Sequence, residues 1–320
     1  MIWAYDSTGY CRAPAPGIPA IKVIGVGGCG FHAVEHMLSS GLHGVTYVVA
    51  DTDAHALTMA RAQGTILLGP NGRLEGNSPE IGRMLVEESL LAVKCALDES
   101  NLVFIVAGMG GNTGTGASPL IAATARKTGA LTVGIVTMPL SLEGKRRNET
   151  AEAGLAELRR HVDFLLTIPI ERLYQTVSRQ TPVRDIFLKA DEYVHTAVRC
   201  VSDALTRRCY VSIDFADVVR LLKGARLAGM GSGSASGEKR AGDAAGQALA
   251  HPLSAGSAIA DAHDALVTVT AGPDLSHEEI DTVTRTFMNA VHKNATVLLS
   301  TVLDESLADE LRIAFIATSA

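Results

Sequence analysis

Short apolar runs alternate with amphipathic stretches along the first half of the chain. Six runs are rich in Val, Ile and Leu with little polar alternation, which is typical of strands buried on both faces: Ile21–Val26, Val45–Ala50, Thr65–Leu68, Leu102–Ala107, Leu131–Thr137 and Phe164–Ile168. The stretches between them predict helices near His32–Ser40, Ala54–Gln63, Pro79–Leu97, Ala117–Thr128 and Arg147–His161. Strand–helix alternation of this length predicts a parallel sheet covered by helices on both sides.

The second half is predicted to begin with one long helix, because apolar residues recur at helical spacing from Val183 to Leu205. A shorter helix is predicted from Asp214 to Gly224. Segment Gly229–Gly246 has the composition of a linker, but the pattern resumes at once, so we predict a tight turn and a helix there. The tail predicts strands Ala265–Ala271, Thr296–Thr301 and Leu311–Ala317, and a helix His277–Val291. The predicted fold is α/β: a parallel-sheet domain, a long central helix and a smaller C-terminal α/β domain.

Composition excludes several classes of protein. The 320 residues carry a net charge of −6 and no basic tract, which argues against nucleic acid as a partner. No apolar stretch approaches the ~20 residues needed to cross a bilayer, and the first residues lack the pattern of a signal peptide, so we expect no direct membrane insertion. Five cysteines without a CxxC pair fit reduced thiols. The predicted location is the cytoplasm.

Two glycine-rich loops follow apolar strands. GVGGCG, from Gly25 to Gly30, has the spacing GxGxxG, and Asp51 follows the next strand 21 residues after Gly30. This is the dinucleotide-binding pattern, in which glycines admit a pyrophosphate and an acid binds a ribose. An NAD-dependent oxidoreductase and a tight turn without ligand both remain open at this point.

The second loop is GMGGNTGTG, from Gly108 to Gly116. It approaches the P-loop spacing, but Ala117 stands where a lysine is needed. A phosphate would therefore be bound by backbone amides, by the hydroxyls of Thr113 and Thr115, and by the positive end of the following helix. Two such loops on one sheet can bind opposite sides of a triphosphate, whereas an NAD enzyme has no obvious use for the second.

GMGGNTGTG resembles the GGGTGTG signature of the tubulin/FtsZ superfamily. The segments IKVIGVGGCGFHAVEHML, VADTDAHAL, TMPLSLEGKRR, SIDFADV and GMGSGSASGEKRA are similar to bacterial FtsZ segments in the same order, over roughly residues 20 to 318. The resemblance implies a GTPase that binds GTP or GDP and assembles with itself, head to tail, into filaments. It also implies an N-terminal extension (1–20), a GTP-binding domain (21–181), a central helix (182–208) and a C-terminal activation domain (209–320).

The resemblance assigns roles to individual residues. Phe187 would stack on guanine and Asp191 would accept its N–H groups, while Glu143 and Arg147 would contact ribose and phosphate. Without it, Phe187 would be a core residue, and the acids and bases would be solvated charge. The complete set of implied GTP-binding residues is Gly27, Gly28, Cys29, Gly30, Phe31, His32, Asp51, Gly110, Gly111, Asn112, Thr113, Gly114, Thr115, Gly116, Pro139, Glu143, Arg147, Phe187 and Asp191.

Asp214 and Asp217 are the implied catalytic residues, because the matching acids of the family reach the nucleotide of the neighbouring subunit. The alternative is that both acids simply stabilise a helix N-terminus through its dipole. Mg²⁺ is expected to be held through phosphates and water, and no residue is predicted as a direct metal ligand.

Several positions depart from the family pattern: Cys29, Phe31 and His32 in the first loop, Asp51 after the second strand, Asn112 in the signature and Ser212 before the acids. Glycine permits positive φ and a close approach of the backbone, so we expect Phe31 either to fit an allowed conformation or to cover the nucleotide. Asn112 would tolerate left-handed geometry. These departures leave an alternative function open: a nucleotide-binding regulator or adaptor without efficient GTPase activity or polymerisation, with a standard FtsZ as its partner.

Overall fold

The structure is a computed structural model that describes residues 18–69, 78–176, 178, 180–253 and 257–319. The chain divides into two compact units, residues 1–195 and 196–320. Most of the predicted N-terminal extension, including Cys11, lies outside the described residues. The predicted domain boundaries at 181 and 208 stay predictions.

The first unit contains six strands and the helices between them. Its strands are β1 (Ile21–Val26), β2 (Thr46–Asp51), β3 (Gly64–Leu67), β4 (Leu102–Gly108), β5 (Leu131–Met138) and β6 (Phe164–Pro169). Its helices are α1 (Gly27–Ser39), α2 (Ala54–Thr58), α3 (Pro79–Glu88), α4 (Leu90–Leu97), α5 (Asn112–Lys127), α6 (Lys145–Arg159) and α7 (Ile170–Thr176). Helix α8 (Val183–Thr206) spans the division between the units.

All strand pairs of the first sheet are parallel, in the order β3-β2-β1-β4-β5-β6. Strands β1, β2, β4 and β5 are almost completely buried, which explains their lack of polar alternation. The strand order reverses between β1 and β4, and ligands of open α/β sheets bind at such a reversal, outside the carboxyl ends of the strands. Both glycine loops follow these two adjacent central strands. The predicted α/β fold is confirmed.

The second unit contains a mixed four-stranded sheet in the order β7-β10-β8-β9. Its elements after α8 are α9 (Phe215–Leu222), β7 (Arg226–Ser236), α10 (Arg240–Leu249), β8 (Asp264–Ala271), α11 (His277–Ala290), β9 (Thr296–Leu303) and β10 (Glu310–Ser319). β10 runs antiparallel to β7 and β8, while β8 and β9 are parallel. Ala, Val and Phe side chains of α10, α11 and the sheet form its core.

The prediction of a turn followed by a helix at Gly229–Gly246 is partly wrong, because the eleven-residue strand β7 occupies its first eight residues. The turn, with Gly237 at φ +87°, and helix α10 follow the strand. Side chains at Gly231 and Gly233 would collide with the carbonyl oxygens of Ala248 and Ala244 on α10. Glycine is required because the helix backbone lies directly on the strand.

Helix boundaries also differ from the prediction. α1 and α5 begin at Gly27 and Asn112, inside the glycine loops, where high glycine content had lowered the helix propensity. The predicted helix Pro79–Leu97 is two helices that meet at Ser89, and α2 ends at Thr58. α7 was not predicted. Among the described residues, no helix is long and apolar enough to cross a membrane.

Candidate nucleotide-binding site and catalytic acids

The first glycine loop is a tight junction between β1 and α1. Gly27 has φ +70°, so a left-handed turn leads directly into the helix. A side-chain carbon at Gly30 would lie 2.5 Å from the carbonyl oxygen of Val106 and 2.6 Å from the carbonyl carbon of Gly25. Gly28, by contrast, faces open space and is exposed. Gly27 thus allows the turn and Gly30 allows the close packing, while Gly28 leaves the helix N-terminus open to a ligand.

Replacing Gly30 with Ala is expected to destabilise the nucleotide-free protein by about 1–3 kcal/mol, because the methyl group would overpack against β4 and β1. Gly28→Ala is the matched control, since its methyl group meets no protein atom and alanine favours the helix. Thermal melting without nucleotide should show a lower Tm for Gly30→Ala alone. Equal melting temperatures for the two variants would contradict the packing role of Gly30.

The signature loop joins β4 to α5 and touches the first loop. Gly110 has φ +94°, Gly111 is the N-cap residue, and Asn112 begins the helix. The Gly110 N–H donates to the Thr115 hydroxyl over 2.8 Å, so that hydroxyl braces the loop. A side-chain carbon at Gly27 would lie 3.2 Å from the amide nitrogen of Gly114. The amino-terminal ends of α1 and α5 therefore lie side by side, and both are anion-binding elements.

The departures from glycine in these loops cause no backbone strain. Cys29, Phe31 and His32 lie within α1, and Asn112 is the first residue of α5. Among the described non-glycine residues, only Glu99 and Ala308 have positive φ. Asn112 therefore does not make use of its tolerance for left-handed geometry, and Phe31 fits an allowed conformation. Phe31 packs edge-on against His32, with ring centroids 5.4 Å apart.

The Cys29 side chain fills space between the ends of β4 and β5. Its Sγ lies 3.4 Å from the Thr137 hydroxyl, and its Cβ lies where a side chain at Gly108 would go. Burial raises the pKa of the thiol to about 11, so it stays protonated at neutral pH. The charges of Asp191, Arg147 and Glu143 also act on this thiol, so these three side chains lie within electrostatic range of Cys29.

Asp51 braces the turn after β2. Its Oδ1 accepts from the amides of Thr52 at 2.6 Å and Asp53 at 3.3 Å, and burial raises its pKa despite these bonds. The hydroxyls of Thr52 and Thr113 lie 3.1 Å apart, linking this turn to the signature loop. Thr52 and Thr137 were not predicted as site residues. The signal for both was a hydroxyl at or directly after the carboxyl end of a parallel strand.

Glu143 and Arg147 are held in the segment that enters α6. Glu143 accepts from the Leu140 N–H over 2.8 Å and pairs with Arg147 over 3.0 Å. The Arg147 carbonyl oxygen lies 2.9 Å from the site of a side-chain carbon at Gly110, so this turn of α6 packs on the signature loop. Pro139 is buried just before the segment. The Arg147 guanidinium is half-exposed.

Phe187 and Asp191 lie one turn apart on α8. The Phe187 ring is 42% exposed, as are Leu188 at 41% and Val183 at 61% on the same helix. Asp191 is 9% exposed. This burial raises the pKa of its carboxyl from 3.8 to about 7. An exposed ring next to a buried acceptor suits a flat base that carries N–H donors.

The raised pKa of Asp191 makes two pH effects testable. Since this pKa rises from 3.8 to about 7 on folding, the folded protein keeps a proton that the unfolded chain releases. The contribution of this carboxyl to stability is therefore lost as pH rises from about 4 to about 7.

A guanine that donates to the Asp191 carboxylate favours its ionised form, so GTP should bind about tenfold more tightly at pH 8 than at pH 6. Asp191→Asn, measured by isothermal calorimetry, controls for titration of the GTP phosphates and should lack this extra dependence.

Asp214 and Asp217 lie at the start of α9, in the second unit. Asp214 is the N-cap residue, yet its side chain accepts no hydrogen bond from the helix amides. Asp217, in the first turn, is 41% exposed. Capping therefore leaves both carboxylates available. The helix-dipole alternative needs no such hydrogen bond, and the catalytic role of these acids stays a prediction.

The segment before these acids is fixed to β9. Tyr210 N–H donates to the Thr301 carbonyl over 3.2 Å, and Val211 N–H donates to the Thr301 hydroxyl over 2.8 Å. Thr301 N–H donates in return to the Val211 carbonyl over 3.0 Å. Ser212 follows directly and is exposed. These bonds hold the chain just ahead of Asp214 in a defined register.

No group of three or more His, Cys, Asp or Glu side chains within the described ranges is placed to hold a metal ion. The described cysteines, Cys29, Cys95, Cys200 and Cys209, are free thiols.

Comparison with known proteins identifies the family. The model of the Tubulin/FtsZ family GTPase domain matches residues 20–178, and that of the FtsZ family C-terminal domain matches residues 226–320. The cell division protein FtsZ of Buchnera aphidicola (subsp. Schizaphis graminum) is 43% identical over 93% of this chain and 78% of its own length. FtsZ of Bartonella bacilliformis is 41% identical over 94% of this chain and 51% of its own length.

A solved structure of an FtsZ dimer from M. jannaschii has a TM-score of 0.87 and 35% identity, covering 94% of this chain and 88% of that one. The chain thus spans from about half to more than three quarters of the length of these two curated relatives. Matches of this identity and coverage, together with the two glycine loops on adjacent strands, leave one assignment. The chain belongs to the tubulin/FtsZ family of GTPases, in its FtsZ branch of cell-division proteins.

Proposed function

We propose that this protein binds and hydrolyses GTP and assembles head to tail into filaments that act in cell division. The observation that carries the proposal is the junction of the two glycine loops, where Gly27 lies against Gly114 and the amino-terminal ends of α1 and α5 meet. Backbone amides and two helix dipoles bind phosphate without a lysine. The cytoplasm is the proposed location, since GTP is available there and free thiols persist.

Different residues of the pocket bind different parts of GTP. Amides of α1 and α5 bind the phosphates, with Gly28 and Gly111 open to the approaching ligand. Arg147 adds a positive charge and stays oriented by Glu143. Phe187 stacks on the base, and the Asp191 carboxylate accepts its N–H groups. Mg²⁺, held by phosphates and water, supplies charge neutralisation on the phosphoryl oxygens.

Hydrolysis is completed by a second subunit. Asp214 and Asp217 of one molecule polarise and orient the water that attacks the γ-phosphate of GTP on its neighbour. Positioning and charge stabilisation suffice for phosphoryl transfer. Asp214 is exposed and makes no side-chain cap hydrogen bond, and the Asp217 side chain is 41% exposed. Ser212 offers a hydroxyl next to these acids, which is shorter than the family's amide, so slow wild-type turnover is expected.

Turnover should therefore depend on association. GTPase activity per subunit is expected to rise with protein concentration and then level off, in parallel with pelleting in GTP and Mg²⁺. Flat activity per subunit from far below to far above assembly would show that the acids act within one molecule or not at all. GTP, but not NAD, should raise the melting temperature, and the reverse result would contradict the proposed ligand.

A further inference from the structure

One cation accompanies the candidate catalytic acids on α9. Arg220 lies one turn after Asp217 on the same helix face, and its Nη2 is 3.8 Å from the Asp217 Oδ1. Its Nη1 is 3.9 Å from the Oδ1 of Asp264, the first residue of β8. The guanidinium therefore lies between two carboxylates, and it is 54% exposed, so it faces the same solvent as Asp217.

Asp264 belongs to a fixed part of the second unit. The buried Thr318 side chain on β10 is within hydrogen-bond distance of two carbonyl oxygens, Leu221 at 3.3 Å and Asp264 at 3.5 Å. Leu221 is the residue next to Arg220. The end of α9 and the start of β8 are thus joined through one buried hydroxyl, and Asp264 gives the Arg220 side chain a fixed counter-charge.

We propose that Arg220 is a positioning residue for GTP hydrolysis, which holds the Asp217 carboxylate and offsets its charge as it approaches a neighbour's GTP. The inference rests on the proposed function of Asp217. Asp214, Asp217 and Asp264 carry three negative charges, and a triphosphate adds several more of the same sign. The planar guanidinium can engage two carboxylates at once and lies within ion-pair distance of both Asp217 and Asp264, so Arg220 lowers this repulsion.

The test separates turnover from binding and assembly. Arg220→Gln is expected to lower kcat, measured per subunit at saturating GTP and protein, by about tenfold, less than loss of Asp217 itself. The Kd for GTP should stay within about twofold, because the glycine loops, Phe187 and Asp191 lie in the other unit. Arg220→Lys should recover part of the lost kcat, since an ammonium keeps the charge but not the two-pronged geometry. A purely structural role would not produce this graded rescue.

Asp264→Asn tests the anchor without changing either partner on α9. It should lower kcat in the same direction, and the double variant with Arg220→Gln should be no slower than Arg220→Gln alone. Lys223→Gln is the matched control, because it removes an exposed cation from the end of the same helix. Full turnover in Arg220→Gln, an equal loss in Lys223→Gln, or additive losses in the double variant would each overturn the inference.

If Arg220→Gln melts at a much lower temperature, the Arg220→Lys and Asp264→Asn variants decide the question on their own kcat values. If Asp217→Ala turns over as fast as the unmodified protein, the proposed function of Asp217 fails and the role of Arg220 fails with it. Loss of turnover in Asp217→Ala with none in Arg220→Gln refutes only the role of Arg220.

Discussion

Asp217→Ala is expected to lose GTP turnover by ~10²-fold or more while binding GTP as tightly as the unmodified protein. The expected loss follows from the proposed role of the carboxylate in positioning the attacking water, an effect commonly of this size. Binding should survive because the predicted pocket residues belong to the other unit. The measurements are phosphate release at saturating protein and nucleotide affinity by calorimetry.

Glu278→Ala is a suitable control, since it removes an exposed acid from the first turn of α11. If first-turn acids matter only through the helix dipole, both variants should lose ~0.3–1 kcal/mol of stability and neither should lose turnover. Mixing Asp217→Ala with a variant that cannot bind GTP gives the decisive result. The mixture should regain activity, because the intact acids of the second variant then face the GTP of the first. Continued inactivity of a mixture that assembles would contradict catalysis across the subunit contact.

Asp191→Ala is expected to weaken GTP binding by roughly 5- to 150-fold, corresponding to the ~1–3 kcal/mol of a lost hydrogen bond to a buried charged acceptor. The preference for GTP over ATP should fall at the same time, because Asp191 is the proposed reader of the guanine N–H groups. Competition binding with both nucleotides at pH 8, where the carboxyl is ionised, measures the two effects together.

Glu192→Ala provides the matched control for this prediction. Glu192 is the next residue on α8, carries the same charge and is exposed, so its loss should change GTP affinity by less than about twofold. Phe187→Ala should weaken GTP and ATP alike, since stacking accepts any base. An unchanged Kd for GTP in Asp191→Ala would place the base elsewhere.

The fold was largely predictable from the sequence because buried parallel strands leave a strong apolar signal. β1 was predicted to the residue, and the ends of most other strands were predicted to within one or two. β7 was missed for a physical reason. The backbone of α10 packs directly on β7, so the strand needs glycines at the contact. These glycines give β7 the composition of a linker.

The candidate site was predictable in its parts but not in its connections. Glycine spacing indicated both loops, whereas the contact between Gly27 and Gly114 depends on β1 and β4 being neighbours. The helical start at Gly27 could not be predicted, because propensity opposes it and tertiary packing overrides propensity. Asp191 looked like a surface charge, although its side chain is buried in the fold. The ligand-binding and catalytic roles of these residues stay predictions.

The chain just ahead of Asp214 has a second effect, on solubility. β9 is an outer strand of the C-terminal sheet, and such a strand offers unpaired backbone groups to any passing chain. Residues 208–211 cover part of it, with Cys209 bridged to Val302 and Leu303 N–H donating to the Arg208 carbonyl. A substitution that detaches residues 208–211 from β9 would expose the unpaired edge of this strand. It would also displace Asp214 and Asp217. Such variants should form β-rich aggregates whether or not GTP is present. Sedimentation without nucleotide therefore distinguishes these aggregates from filaments.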